Sequence, residues 1–423
     1  MSARSSRSSN RLCMFRILRA ETDMASLLDQ LSRPECWERF YQYKTERHCS
    51  RETQKQLRAW IGRAGWTSVC ADMQEGKPFP LPRRSVISKF STQKKRVVYT
   101  YPQDENTVLK LLTHLLLRKY DRLFCPELYS FRPGRTAKDA IRRLHCLHTE
   151  RMYSYKVDIS NYFNSVPVGL LLDDLAAVTA EDPALYEFLR GLLTEPCALE
   201  NGIPVTEQKG IMAGTPLSAF YANLFLRELD AYFHDRRIPY ARYSDDIIVF
   251  GDTPEQTAEY AEIIRSFLAQ HRLNVNPAKE CFQSPAEGWC FLGFTVCGDT
   301  VDIAPASVRK LKAKMRRKTR ALHRWAKRNR FSGEKAAAAF IRVFNRKLFE
   351  QPEDQDHMLS WSLWYFPVIN TVESLREIDR YAQDCLRFLI SGRRTKARFN
   401  VRYDDLKQLG YRSLVHEYYS PKP

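Results

Sequence analysis

Two adjacent carboxylates, Asp245 and Asp246, stand between Tyr243-Ser244 and the run Ile247-Ile248-Val249-Phe250. Aromatic and β-branched flanks predict strand, tight turn, strand, with the acids at a hairpin tip. Adjacent carboxylates repel each other and are costly to desolvate, so such a pair needs a cation beside it. Hard oxygen ligands in that arrangement suit Mg²⁺. An Asp-Asp turn in an ordinary hairpin has the same letters. The metal assignment therefore depends on a third carboxylate and a nucleotide pocket elsewhere in the chain.

The chain that must position these groups has 423 residues, enough for two or three domains, with 44% hydrophobic and 12% aromatic residues. No run approaches the roughly 18 to 20 apolar residues of a membrane span, so a soluble, cytoplasmic protein is expected. The net charge of +18 fits a polyanionic partner through counterion release; a charged solubilising surface is the plainer alternative. The eleven cysteines form no C-x-x-C pair or zinc-finger spacing and read as reduced thiols. Residues 1–20, Ser- and Arg-rich before Glu21, read as a flexible basic start.

Apolar spacings up to about residue 75 fit short helices, and prolines 78, 80 and 82 an extended linker. Val86 to Tyr101 reads as a β-hairpin with Lys89, Lys94, Lys95 and Arg96 near its turn. Such a hairpin can close over a triphosphate, Lys as a point charge and Arg as a fork; a charge-protected sheet edge is the other reading. A helix is expected from Glu105 to Tyr120. Then comes Leu128-Tyr129-Ser130-Phe131-Arg132-Pro133-Gly134-Arg135, a turn before a helix capped at Thr136. Guanidinium groups at a helix start, here Arg132 and Arg135, suit phosphate.

Phe-Arg-Pro-Gly-Arg before a helix resembles the second sequence block of bacterial reverse transcriptases of the group II intron type. Further blocks follow in the family's order over about residues 86 to 300. Tyr155-Lys156-Val157-Asp158-Ile159-Ser160-Asn161-Tyr162-Phe163-Asn164 resembles the first palm motif. By that resemblance Asp158 is the third carboxylate and the Ile159 carbonyl completes a metal shell. Phe163 would stack under the incoming sugar and exclude a 2′-hydroxyl; by pattern alone it would be a core residue. Lys209-Gly210-Ile211-Met212-Ala213-Gly214-Thr215-Pro216-Leu217-Ser218 precedes an apolar helix expected from Ala219 to Leu229, and its glycines, Gly214 among them, admit close backbone approach to a nucleotide. Group II enzymes usually read Pro-Gln-Gly here, and Ala213 occupies the Gln place. Asn276-Pro277-Ala278-Lys279 resembles the next block, with Lys279 placed to neutralise or protonate the leaving pyrophosphate; a surface lysine is the alternative. Phe291-Leu292-Gly293-Phe294 resembles the hairpin that grips the primer end.

A helix is expected from Ser307 to Arg330, with Val308, Leu311, Met315, Leu322 and Trp325 on one face and Arg316, Arg317 and Lys318 among unbroken basic residues opposite. In a polymerase that helix tracks a nucleic-acid backbone. Tyr403-Asp404-Asp405 imitates the catalytic pair but lies in a basic loop before a short helix, and the aromatics around Trp361 to Phe366 read as core.

The resemblance implies an α+β right-hand polymerase fold: an N-terminal helical region (1–75), fingers and palm (76–300), a basic helical thumb (301–345) and a C-terminal helical and aromatic extension (346–423). It implies two Mg²⁺ ions on Asp158, Asp245 and Asp246, and RNA-directed DNA synthesis from dNTPs. Ala213, the Tyr-Ser-Asp-Asp form and the tail Gly410-Tyr411-Arg412-Ser413-Leu414-Val415 look like the defence-associated, unknown-group reverse transcriptases, their second class among them. Those copy a structured non-coding RNA into cDNA in anti-phage defence. A group II maturase or retron-type enzyme acting chiefly through RNA binding is the alternative, and an RNA-templated RNA polymerase is disfavoured by Phe163.

Overall fold

The computed structural model describes residues 26–46, 49–88, 95–207, 210–350, 360–393 and 400–420. Helices α1 (Leu27–Gln30), α2 (Pro34–Glu46), α3 (Arg51–Gly62) and α4 (Thr67–Gln74) gather around Trp37, which stacks on Trp66 with ring centroids 5.5 Å apart and meets Trp60 edge-on at 4.8 Å. The proline-rich segment leads into strands β1 (Arg83–Ser88) and β2 (Lys95–Thr100). Helix α5 (Gln103–Lys119) follows, its stripe Val108, Leu111, Leu112 and Leu116 fully buried as its i, i+3, i+4 spacing requires. Thr136 and Asp139 form the capping box that starts α6 (Ala137–Cys146).

Next come β3 (Tyr153–Asp158), α7 (Tyr162–Ser165), α8 (Val168–Val178), α9 (Pro183–Thr194), β4 (Cys197–Glu200) and β5 (Ile203–Thr206). The helix expected over residues 219–229 is two helices, α10 (Ser218–Phe225) and α11 (Arg227–Asp235), because Leu226 leaves the helical backbone region at φ −108°, ψ 13°. Then β6 (Tyr240–Tyr243), β7 (Asp246–Gly251), α12 (Pro254–Gln270) and β8 (Cys281–Gln283) complete this part. One four-stranded sheet has the order β2-β1-β4-β5 and forms the fingers; the other, β6-β7-β3-β8, is the palm.

Strands β9 (Trp289–Phe291), β10 (Phe294–Cys297) and β11 (Thr300–Ile303) make a small antiparallel sheet. Its first turn uses Leu292 and Gly293, both at positive φ (49° and 88°), as a two-residue hairpin requires. Three helices then bundle: α13 (Pro305–Arg328), α14 (Gly333–Phe349) and, after the short α15 (Trp361–Tyr365), α16 (Glu373–Ser391). On α13 the buried stripe is Val308, Leu311, Met315, Thr319, Leu322 and Ala326, so Trp325, expected in that stripe, is only half-buried and leans on Phe331. The expected boundary at 345/346 falls inside α14, and the third helix of the bundle comes from the expected extension.

Helices α17 (Tyr403–Gln408) and α18 (Leu414–Tyr419) close the chain against α16. Buried Asp379 on α16 accepts the Tyr411 hydroxyl at 2.8 Å, the Ser413 hydroxyl at 2.6 Å and the Leu414 and Val415 N–H groups at 2.9 and 3.1 Å. The Gly-Tyr-Arg-Ser-Leu-Val stretch is thus a helix start tied to a buried acid.

Two hydrophobic cores lie on the two faces of the palm. Ile247 and Val249 of β7 join the core of the fingers and N-terminal helices, while Ile248 and Phe250 join the core that runs into the thumb bundle. The α+β class and the fingers, palm and thumb arrangement agree with expectation. Among the described residues no helix is long and apolar enough to cross a membrane.

Candidate active site

Antiparallel pairing of β3 with β7 sets Asp158 opposite Asp246, and pairing of β6 with β7 sets Tyr243 opposite Asp246. The turn between β6 and β7 holds Ser244 at φ +61° and Asp245. Ligand oxygens of Asp158, Asp245 and Asp246 all lie within 4.8 Å of one another. Ile159 follows directly, bridged to Val275, with Ser160 N–H on the Asn274 carbonyl at 2.8 Å and Asn276 N–H on the Asp158 carbonyl at 2.7 Å. The Ile159 carbonyl takes neither of those bonds.

Electrostatics give the cluster its character. Burial, then the charges of Asp245 and Asp158, push the Asp246 carboxyl up to about 6. Burial and Asp158 likewise raise Asp245. Lys279 Nζ rests on Asp158 Oδ1, and Asn276 donates its side-chain amide to Oδ2 at 3.3 Å. Burial opposes the Lys279 charge, but its bond to Asp158 and the charges of all three acids hold it above its ordinary value. The three clustered carboxylates are the oxygen donor set a hard divalent cation fits, and the Lys279 ammonium is a counter-charge on one of them.

The Tyr-Ser-Phe-Arg block supports the hairpin from below. Tyr129 N–H bonds the Arg242 carbonyl at 3.0 Å, and Ser244 N–H donates to Ser130 Oγ at 2.8 Å. Arg242 is fully buried, its fork on Asp230 at 2.5 and 2.7 Å and its remaining donors on the carbonyls of Ser244 and Asn223, both at 3.2 Å. Sequence reading passed over Arg242; the available signal was a charge on a strand otherwise made of Tyr and Ala.

Arg132, expected at a phosphate, is a correction. It is buried, with Nε on Asp121 at 2.8 Å and Nη1 on the Cys125 carbonyl at 2.6 Å, so its donors staple the turn from within. Arg135 is half-buried with Nη1 on the Pro126 carbonyl at 2.8 Å. Phe131, at φ +57°, projects outward and meets Phe163 edge-on, centroids 6.5 Å apart.

Phe163 is half-buried, and its carbonyl accepts Ile211 N–H of the glycine loop at 2.8 Å. A Cβ on Gly210 would come within 2.6 Å of that same oxygen, and one on Gly214 (φ +104°) within 2.9 Å of the Tyr99 carbonyl of β2. Ala213 is buried; its carbonyl accepts Tyr99 N–H at 2.8 Å and its N–H reaches Asn164 Oδ1 at 3.4 Å. Fingers, glycine loop and the Phe163 turn therefore meet through backbone, which a Gln-to-Ala change leaves in place. Arg96 of β2 is exposed, and its charge acts on Asp245. Lys89 and Lys94 lie outside the described residues.

On α13, Arg316 and Arg317 are exposed and Lys318 is half-buried. Burial, with the charges of Lys347, Arg317 and Lys310, pulls Lys314 below its ordinary value, as expected of cations gathered without acids. Tyr403-Asp404-Asp405 begins α17, where the Asp405 carboxylate accepts the Arg402 N–H at 2.7 Å, so this pair caps a helix.

Residues 87–296 match the family described as reverse transcriptase (RNA-dependent DNA polymerase). The retron Ec86 reverse transcriptase of Escherichia coli is 20% identical over 172 residues, 40% of this chain and 50% of that protein. The group II intron-encoded protein LtrA of Lactococcus lactis subsp. cremoris is 24% identical over 210 residues, 48% of this chain and 33% of LtrA. The chain thus spans half or less of these two relatives. Among solved structures, apo telomerase from Candida tropicalis aligns with 78% of this chain and 60% of its own at 11% identity and a TM-score of 0.46. The chain carries a reverse transcriptase domain, distantly homologous to those of retrons and group II introns.

Proposed function

We propose that this protein is an RNA-directed DNA polymerase that copies a structured non-coding RNA into cDNA and acts in anti-phage defence. The observation that carries the polymerase reading is the Asp158, Asp245 and Asp246 cluster beside the backbone-built glycine loop. Two Mg²⁺ ions held by these acids and the Ile159 carbonyl supply activation of a primer 3′-hydroxyl and stabilisation of the leaving pyrophosphate. The protein's own groups position the reactants. Lys89 and Arg96 hold the triphosphate, Gly214 admits the nucleotide, Phe163 lies under its sugar, and Lys279 meets the pyrophosphate. Ala213, the Tyr-Ser-Asp-Asp turn and the aromatic tail support the defence-associated branch. Sequencing of RNA that co-purifies with the protein tests the template, with one structured species expected and a random RNA pool counting against it.

Primer extension on RNA with dNTPs or rNTPs tests the polymerase reading. Wild type is expected to use dNTPs, and Phe163→Ala to lose at least about tenfold of that preference, ~1.4 kcal/mol of differential transition-state binding. Equal use of both by wild type would overturn the reading, and an unchanged preference in the variant would remove Phe163 from the sugar site.

We further propose that α13 follows the nucleic-acid backbone. Neutralising Arg316, Arg317 and Lys318 together should weaken RNA binding and flatten the log–log salt slope by about two to three units. A slope equal to that of wild type would mean the face is only solvated.

A further inference from the structure

The segment between α12 and β8 carries Lys279 and is pinned from both faces of the palm. On the front, Asn276 and Lys279 engage Asp158. On the back, Glu280 Oε1 accepts the Tyr155 hydroxyl at 2.7 Å and Arg265 Nε at 2.8 Å, and it also pairs with Arg265 Nη2. Arg265 comes from α12 and lies over the rings of Tyr155 and Phe282, at 5.4 and 5.9 Å. Lys279 ends a 3-10 turn, Pro277–Lys279, and Glu280 leaves that turn with an extended backbone at φ −71°, ψ 131°. On β3, Tyr155 and Asp158, three apart, leave by opposite faces of the sheet.

The segment's backbone bonds to the palm run from Asn274 to Asn276 and resume only at β8, so Lys279 and Glu280 lie between them. Strand β8 has only three residues and pairs with β3 alone, through Ser154, Tyr155 and Lys156. A lysine is a point charge on a flexible four-carbon stem. To sit on Asp158 in the free enzyme and reach a leaving pyrophosphate during turnover, it needs a fixed root and a mobile head.

We infer that Glu280 is a positioning residue: gripped by Tyr155 and Arg265 behind the palm sheet, it fixes the backbone root of Lys279 so that the ammonium reaches the leaving pyrophosphate. The inference rests on the pyrophosphate role proposed above for Lys279.

Single-nucleotide insertion by wild type, Lys279→Ala, Glu280→Gln and the double variant tests it. Lys279→Ala is expected to lower kcat with little change in the dNTP KM. Glu280→Gln should lower kcat about tenfold alone but less than about twofold in the Lys279→Ala background, because a residue acting through another has nothing left to act on. Rates with dNTP analogues whose β,γ-bridging group varies in basicity should depend more steeply on that basicity in both single variants. Tyr155→Phe, which deletes one hydroxyl, should show the same non-additivity with a smaller loss, even where Glu280→Gln folds poorly. Multiplying losses in the double variant, or wild-type kcat in both Glu280→Gln and Tyr155→Phe, would overturn the inference. Wild-type kcat in Lys279→Ala would instead remove the lysine's role, and the positioning role with it.

Discussion

Replacing Asp245 and Asp246 together with asparagine will abolish Mg²⁺-dependent DNA synthesis, a loss on the order of 10³-fold or more, while RNA affinity stays within about twofold because the basic thumb is untouched. Asparagine keeps the shape of the turn and removes two of the three clustered negative charges. Stability should move the other way. The Asp246 carboxyl rises from 3.8 to about 6 in the fold, so carrying it ionised is unfavourable at every pH above about 6, and that cost vanishes below about 3.8. At neutral pH without metal, the asparagine variant should therefore melt at or above the wild-type temperature. Primer extension, filter binding and a thermal melt decide the matter. Retained synthesis would sink the metal assignment, and a lower melting temperature would show that the acids hold the hairpin together.

The second large effect is expected at a residue that touches no substrate. Arg242→Met leaves the fully buried Asp230 without its counter-charge, with only the Tyr240 hydroxyl still donating to it at 3.0 Å, an uncompensated charge worth about 3–5 kcal/mol. The loss should appear in denaturant unfolding as a lower midpoint. Arg242→Met with Asp230→Leu removes both charges and should recover much of the stability. Activity should not return with it, because the carbonyls of Ser244 and Asn223 lose the donors that fix the turn before Asp245. A double variant no more stable than Arg242→Met would refute the uncompensated-charge account, and full activity in it would refute the role of the pair in shaping the turn.

What could be read from the sequence was local. Aromatic and β-branched residues flanking Asp245-Asp246 specified the hairpin, Thr136 announced its helix, and the setting of Tyr403-Asp404-Asp405 excluded it from the palm. What could not be read depends on pairing across the fold. Arg132 looks like a phosphate ligand until Asp121, eleven positions earlier, takes its fork. Arg265 and Glu280 look like surface charges until Tyr155 brings them behind the sheet. The thumb was cut short at 345 because the apolar face of α16, which completes the bundle, has its complement only in three dimensions.

The division of β7 between two cores restricts how this chain can change length. A strand's side chains alternate with period two, so adding or deleting one residue in β7 would send Ile247 and Val249 into the thumb-side core and Ile248 and Phe250 into the fingers-side core. The same slip would turn Asp246 away from Asp158. Insertions can accumulate in the loops that join the helices, but this six-residue strand acts as a fixed ruler. It measures the active site and both halves of the interior from one register.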